Sequence, residues 1–325
     1  MTFADVGVVV IGRNEGGRLL RCLQSVRGEA QVVYVDSGST DQSVELARRM
    51  GAQVVELDMR QPFTAARARN AGWRRLLECC PGIEYVQFVD GDCEVVSGWL
   101  SLARAYLRDH PRAAAVCGQR RERHPERSVY NRLCDLEWIK PPGIIQAFGG
   151  DVMLRADVLD ASGGYRDDLI AGEEPELCVR LRRAGWEIHA LRDDMTLHDA
   201  AMTSFRQWWQ RVVRSGYAYA AGVALHGRSP ERHWVRESAR TWFWSLGPMV
   251  LVLVFLPAWG LGALAILGVY PLQVLRLFLR SEGSWRDRGL QSVFHTLSRF
   301  PELVGQCRYL RDRWQRRPSQ LIEYK

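Results

Sequence analysis

The sequence predicts an α/β fold, a mostly parallel sheet flanked by helices, which gives way near residue 228 to a C-terminal hydrophobic helical hairpin and an amphipathic helix. Three observations carry that reading. Between residue 6 and about residue 118, short β-branched runs alternate with longer helical patterns. The strand runs are continuously apolar, as strands covered on both faces of a parallel sheet are. Residues 241 to 275 then contain no charged residue at all.

The first strand is VGVVVIG, residues 6 to 12, followed by the helical pattern RLLRCLQSV. QVVYVD (31 to 36) is the second, and the helix DQSVELARRM after it has Asp41 in position to cap its N-terminus. AQVVEL (52 to 57) leads into TAARARNAGWRRLLECC, EYVQFVD (84 to 90) into SGWLSLARAYLRDH, and AAAVCG (113 to 118) closes the series. Repeats of this kind build right-handed βαβ units. Beyond them, Gly149 and Gly150 open a strand-like DVMLR, where the missing side chains let backbone approach a ligand or another strand. GEEPELCVRLRRAGW reads as a helix with acids in its first turn, arginines in its last and glycine at its stop. The strand-like WEIHALR and the long helix SFRQWWQRVVRSGYAYAAG follow.

The chain has 325 residues and is 47% hydrophobic, enough for a substantial core and too apolar for a disordered chain. Its net charge of +7 rests on arginine, since lysine occurs only at Lys140 and Lys325. The planar guanidinium suits phosphate or lipid headgroups, although a biased base composition leaves the same trace. Eight cysteines without C-x-x-C or regular spacing argue against a disulfide framework or zinc site and fit a reducing cytoplasm. The N-terminus reads as a first strand and not as a signal peptide.

Ligands of open α/β sheets bind beyond the carboxyl ends of the strands, and three polar clusters fall there. They are Arg13-Asn14-Glu15, the run from Asp36 to Asp41, and Asp90-Gly91-Asp92. No P-loop and no G-x-G-x-x-G follows the first strand, so any bound phosphates need another counter-charge. Asp90 and Asp92 read as a solvated turn, or as the seat of a divalent cation that bridges to a diphosphate. Glu173, Glu174 and Glu176 suit the positive end of a helix, and the adjacent pair also suits a general base. His198 in TLHDA is a structural histidine or a metal ligand. Arg211 and Arg214, three apart beside Trp208, form a solvated helix face or a phosphate site.

In order along the chain, VVIGRNE, VDSGSTD, ARARNAG, FVDGDCEV, FGGDVMLR, AGEEPELCVRLRRAGW and LHD resemble the motifs of the family 2 glycosyltransferases, inverting enzymes of the GT-A fold. The resemblance spans roughly residues 6 to 220. It implies nucleotide contacts from Asn14, Glu15, Asp36 and Asp41, with Asn70 in the same pocket and Gly150, Arg211 and Arg214 completing the nucleotide-sugar site. It places Asp90 near ribose and metal, makes Asp92 the direct ligand of a Mg or Mn ion, and adds His198 as a further ligand. The family's base, usually the aspartate of a Glu-Asp pair, falls on Glu174; the pair here is Glu173-Glu174, which leaves the base open between the neighbours. The Q-x-x-R-W motif of processive synthases is absent, as Gln207 is followed by Trp208, Trp209, Gln210 and Arg211. The implied reaction is transfer of one sugar, with inversion, from a nucleotide-diphosphate sugar. Two alternatives are a nucleotidyltransferase, which lacks its glycine-rich basic loop here, and a silent membrane scaffold, favoured only by the Glu-Glu pair.

The implied organisation is a catalytic domain over 1–227, a membrane-associated hairpin over 228–280 and an amphipathic helix and tail over 281–325. The uncharged stretch is too long for one span and splits near Pro257 to Gly260 into two arms. Arg228, Arg232, Arg236 and Arg240 precede it, and Arg276, Arg280, Arg286 and Arg288 follow, which keeps both ends on the cytoplasmic side. Leu290, Val293, Phe294, Leu297, Val304, Cys307 and Leu310 recur at helical spacing among arginines, as in a helix lying on an anionic surface or packed on the catalytic domain. The expected location is the cytoplasmic face of the inner membrane, with a lipid or lipid-linked acceptor and no nucleic acid among the partners.

Overall fold

In the computed structural model residues 3–317 are described. The chain divides into two compact units, residues 1–125 with 137–201, and residues 126–136 with 202–325. The division falls near residue 201, so the helix after it groups with the C-terminal helices and not, as composition implied, with the domain ending at 227.

The first unit runs β1 (Val6–Gly12), α1 (Gly17–Ser25), β2 (Gln31–Asp36), α2 (Ser43–Arg49), β3 (Gln53–Glu56), α3 (Ala65–Cys79), β4 (Tyr85–Asp90), β5 (Cys93–Val95), α4 (Trp99–Asp109), β6 (Ala113–Glu122), α5 (Val129–Trp138), β7 (Gly143–Ile144), β8 (Val152–Arg155), α6 (Ala156–Ala161), α7 (Glu173–Arg183) and β9 (Glu187–His198). Only the last residues of α5 belong to this unit. The sheet order is β3-β2-β1-β4-β8-β6-β9-β5, with β7 on β9. The first four strands by sequence form a parallel block in which β1 lies between β2 and β4. The fifth expected strand, β6, does not extend that block. β8 enters between β4 and β6 antiparallel to both, so the sheet is mixed. The valines of β1 and β2 and the face of α3 bearing Ala68, Trp73 and Leu76 are buried in one core. Gly72 lets α3 approach the sheet, since a Cβ there would stand 2.3 Å from Val9 Cγ1.

The second unit holds α8 (Phe205–His226), α9 (Val235–Trp259), a 3-10 stretch Gly260–Gly268, α10 (Val269–Arg280), α11 (Trp285–Leu297) and α12 (Arg299–Trp314). α8 opens on a capping box of Ser204 and Gln207. The apolar stretch breaks at Gly260, φ 54°, and folds back, because Tyr270 on α10 donates to the Trp244 carbonyl of α9 at 2.9 Å. Through Val235–Arg280 this element is long and apolar enough to cross a membrane.

α8 buries an apolar face of Trp208, Val212, Val213 and Tyr217, whereas α9 to α12 reverse the pattern. Thr241, Ser245, Ser292, Thr296, Glu302 and Gln306 are buried, while Phe243, Val250, Leu253, Val254, Leu272 and Leu279 are exposed. The inward polar groups find each other: Thr241 Oγ1 donates to Glu302 Oε2 at 2.6 Å, and Ser238 Oγ and Trp242 Nε1 donate to Gln306 Oε1 at 2.6 and 2.8 Å. The expected tail helix is two helices broken at Ser298, of which α11 packs Phe294 on Trp208 and Tyr130 while α12 exposes Val304, Cys307 and Leu310.

Candidate active site

The parallel block brings the strand ends level, with Gly12 paired to Asp36 and Ile11 to Asp90. Asn14 turns the chain after β1 in a left-handed conformation, φ 56°, which asparagine tolerates better than most residues. Its amide N–H donates to Ser39 Oγ at 2.9 Å and its Oδ1 accepts from the Thr40 N–H at 2.7 Å, lacing the first two strand ends together. Asp36 accepts from Tyr34 Oη and from the N–H groups of Gly38 and Ser39 at 3.0, 3.0 and 2.8 Å. Asp41 receives the Ser43 N–H at 2.9 Å, but the N-cap position of α2 is Gln42 and no side chain caps the helix, so Asp41 closes the turn before the helix instead of capping it as expected; Glu15 pairs with Arg18 at 2.7 Å.

An ionic cluster occupies the end of β4. Arg69, projecting from α3 with a side chain only 3% exposed, reaches Asp90 Oδ1 at 3.1 Å with one Nη, and Glu173 and Glu174 at 2.9 and 3.0 Å with the other. Arg120 on β6 reaches Asp90 Oδ2 at 3.1 Å and Asp151 at 2.8 Å. Asp151 also receives the Asp90 N–H at 3.0 Å and Thr196 Oγ1 at 2.6 Å. The charge on Asp90 is therefore met by two arginines of the chain itself, a counter-charge the sequence reading had assigned to a metal and a diphosphate. Gly150 leaves room for this meeting, as a Cβ there would stand 2.6 Å from Asp90 Oδ2 and 2.9 Å from Arg69 Nη2.

The two glutamates at the start of α7 share Arg69 but not their surroundings. Glu173 is buried at 3% side-chain exposure, whereas Glu174 keeps 15%. Burial, and next the neighbouring Glu173 charge, push the Glu174 carboxyl up to about 7, although Arg69 pulls the other way.

Asp92 faces His198, with Oδ2 3.3 Å from Nε2. β5 pairs with β9 so that Cys93 lies opposite His198, and Asp92, Cys93 and His198 each place a possible ligand atom within 4.8 Å of the others. His198 Nδ1 is turned to Glu122 Oε2 at 3.7 Å, and Trp138 packs edge-on against the imidazole at a centroid distance of 4.6 Å. Burial lowers the histidine's proton affinity and keeps the ring neutral, the form that ligates. A carboxylate, a neutral imidazole and a second carboxylate behind the ring fit a divalent cation. Asp92 and His198 would hold the ion, and Glu122 would orient the ring.

One expected site residue has a different role. Asn70 donates to the Tyr165 carbonyl and to Asp167 Oδ1, both at 2.7 Å, and accepts from Trp73 Nε1 and the Tyr165 N–H at 3.0 and 2.9 Å. Its two donors and two acceptor positions are spent on the chain, so it fixes the loop after α6 and is not a nucleotide contact. Its neighbour Arg69 points into the cluster instead. Arg211 and Arg214 stand half-buried on α8 in the second unit, while every group of the cluster belongs to the first. Sequence reading missed Arg69, Arg120, Asp151, Glu122 and Trp138. The visible signal was ARARNAG for Arg69 and the Gly150-Asp151 step for Asp151.

Residues 7–165 match the model of glycosyl transferase family 2. A pre-mycofactocin glycosyltransferase of Mycobacterium tuberculosis is 26% identical over 241 residues, 70% of this chain and 49% of the relative. A TPR repeat-containing protein of Synechococcus elongatus is 30% identical over 135 residues, 41% of this chain and 31% of that protein. The chain thus spans about half the length or less of these curated relatives. Among solved structures, a mannosyltransferase of Pyrobaculum calidifontis in complex with GDP-Man and Mn2+ shares the fold at TM-score 0.63 and 20% identity, covering 95% of this chain and 87% of its own. With its first motifs in order on a GT-A sheet, this chain is similar to glycosyl transferase family 2 over residues 7–165, the stretch that the family model matches.

Proposed function

We propose that the protein transfers one sugar, with inversion, from a nucleotide-diphosphate sugar to a lipid or lipid-linked acceptor at the cytoplasmic face of the inner membrane. The observation that carries the reaction is the environment of Glu174. A carboxyl at the mouth of the cluster with its proton affinity raised to about 7 takes a proton near neutral pH, as a general base must. Glu174 would accept the proton of the acceptor hydroxyl as that oxygen bonds the anomeric carbon and the bond from that carbon to the diphosphate oxygen breaks. A single displacement inverts the centre. Asn14, Glu15, Asp36 and Asp41 line the nucleotide side in this reading, and Arg69 and Arg120 hold Asp90 toward the ribose and diphosphate. Asp92 and His198 would hold a Mg or Mn ion, whose positive charge would favour departure of the diphosphate.

The membrane reading rests on α9 to α12 of the second unit. Polar and small residues inside with leucine, valine and phenylalanine outside is the packing of helices in lipid. The test is incubation of the full chain with a panel of nucleotide-diphosphate sugars, divalent metal and a membrane lipid extract, with products read by mass spectrometry. A sugar adduct on a lipid, lost with Glu174→Gln, is expected. No adduct from any donor, with wild-type protein that binds none of the nucleotides, would sink the reading.

A further inference from the structure

At the foot of the hairpin, four helices of the second unit line a small cleft that opens to solvent. α9 contributes Arg240 and Trp244, α10 Gln273, α11 His295 and Thr296, and α12 Arg299. None of these side chains is acidic. Arg299 gives one Nη to Glu302 Oε2 at 2.8 Å and the other to His295 Nε2 at 2.8 Å. An imidazole that accepts at Nε2 carries its proton at Nδ1. Glu302 offsets one cation of the cleft, and it is buried among Thr241, Ser298 and Arg299. Arg240 has no carboxylate partner among the described residues. The lining is therefore rich in N–H donors, with a positive charge left over, which is the complement of an oxyanion.

What surrounds the cleft says which oxyanion. Arg240 is the last charged residue before the uncharged run, and Trp244 and Gln273 lie within that run on its two arms. Exposed leucines and phenylalanines, among them Phe243 and Leu272, continue from the cleft along the hairpin. A cation at this boundary meets a phosphate whose acyl chains lie along the apolar side, and basic pockets between membrane helices take lipid headgroups for that reason. We propose that the cleft binds the phosphate of a membrane phospholipid. This rests on the membrane reading above and adds a specific site to it.

The test uses full-length protein in detergent, titrated with phosphatidylglycerol and read by native mass spectrometry for retained lipid. Wild type should hold one lipid, and Arg240→Gln should weaken retention by about fivefold, the effect of one arginine at an anionic headgroup. Arg236→Gln, one turn earlier and outside the lining, should change retention little. Equal retention in Arg240→Gln, an equal loss in Arg236→Gln, or displacement of the lipid by millimolar inorganic phosphate would each overturn the lipid site. Flotation on neutral phosphatidylcholine vesicles separates the two readings. If wild type and Arg240→Gln both float while retention is unchanged, the cleft alone falls; if wild type does not float, the membrane reading falls and takes the cleft with it.

Discussion

Glu173 and Glu174 are neighbours in sequence with one arginine between their carboxylates and Asp90, yet Glu174 is the more exposed of the two, at 15% against 3%. A base with its proton affinity raised to about 7 is protonated below that pH and competent above it, so kcat/KM should rise as pH passes through 7. Glu173→Gln removes the negative neighbour that helps raise it and should move the acid limb to lower pH, while Glu174→Gln should retain nucleotide and lose roughly 10²–10⁴-fold in transfer. A limb unmoved in Glu173→Gln would show the two carboxyls to be uncoupled. At the metal side, Asp92→Asn should weaken metal dependence more than His198→Ala, since a charged ligand is lost, and Glu122→Gln should cost about 10–100-fold in metal affinity through the ring it orients. Metal titration of activity reads all three, and Asp92→Asn turning over at the wild-type rate without metal would remove the site. Asp90, Asp92 and His198 stood out as candidates because they follow strand-like runs, where the carboxyl ends of an open sheet meet a ligand. Arg69 and Arg120 were not, because arginine is so common in this chain that no spacing marks which ones turn inward. Asn70 was misplaced for a geometric reason: consecutive helical residues point about 100° apart, so of Arg69 and Asn70 only one can face the cluster.

At the scale of elements, the alternation of strand and helix located β1 to β4 and their parallel order, since each βαβ step is local. The strand-like DVMLR marked β8 as a strand, but nothing in it gave its place in the sheet. That strand pairs with β4 and β6 from far along the chain, and pairing between distant segments leaves no periodicity in either. β5, three residues long, is likewise set by its partner β9 and not by its own composition. In the second unit the hydrophobic run was plain, but the contact that locks α12 to α8 rests on two glycines that no pattern singles out. A Cβ on Gly216 would lie 2.0 Å from the Glu302 carbonyl oxygen, and one on Gly305 would lie 2.0 Å from that of Val213. Neither obstacle is a flexible side-chain end, so the helices must part. Gly216→Val should destabilise the chain by about 1–3 kcal/mol, read as a lower melting temperature in detergent, while Gly289→Ala on α11, with open space around it, should not. Equal melting of the two variants would mean that the helices do not cross so closely.

On the scale of the whole molecule, the pattern of burial reverses along the chain. The first unit and α8 hide valine, leucine and tryptophan, whereas α9 to α12 hide serine, threonine, glutamate and glutamine while presenting leucine and valine. Exposed apolar area costs about 25 cal/mol per Å² in water, so this second arrangement suits the lipid surroundings proposed above. The hairpin also fixes which ends share a side. Tyr270 bonds back to Trp244, so Arg240 before the run and Arg276 after it lie toward the same end of the hairpin. Measured along the helix axis, 241–259 is about 28 Å long at ~1.5 Å per residue, against about 30 Å for the hydrocarbon core of a bilayer. In the bilayer proposed above, the arm would reach most of the way across before Gly260 turns it back. Arginines gather on the cytoplasmic side of membranes, and here four precede the run and four follow it within short distances. Reporters fused before residue 228 and after residue 325 should both read as cytoplasmic, with the Gly260 turn as the deepest point of the chain. A C-terminal reporter that reads as periplasmic would break the hairpin, since one crossing and not two would then join the ends.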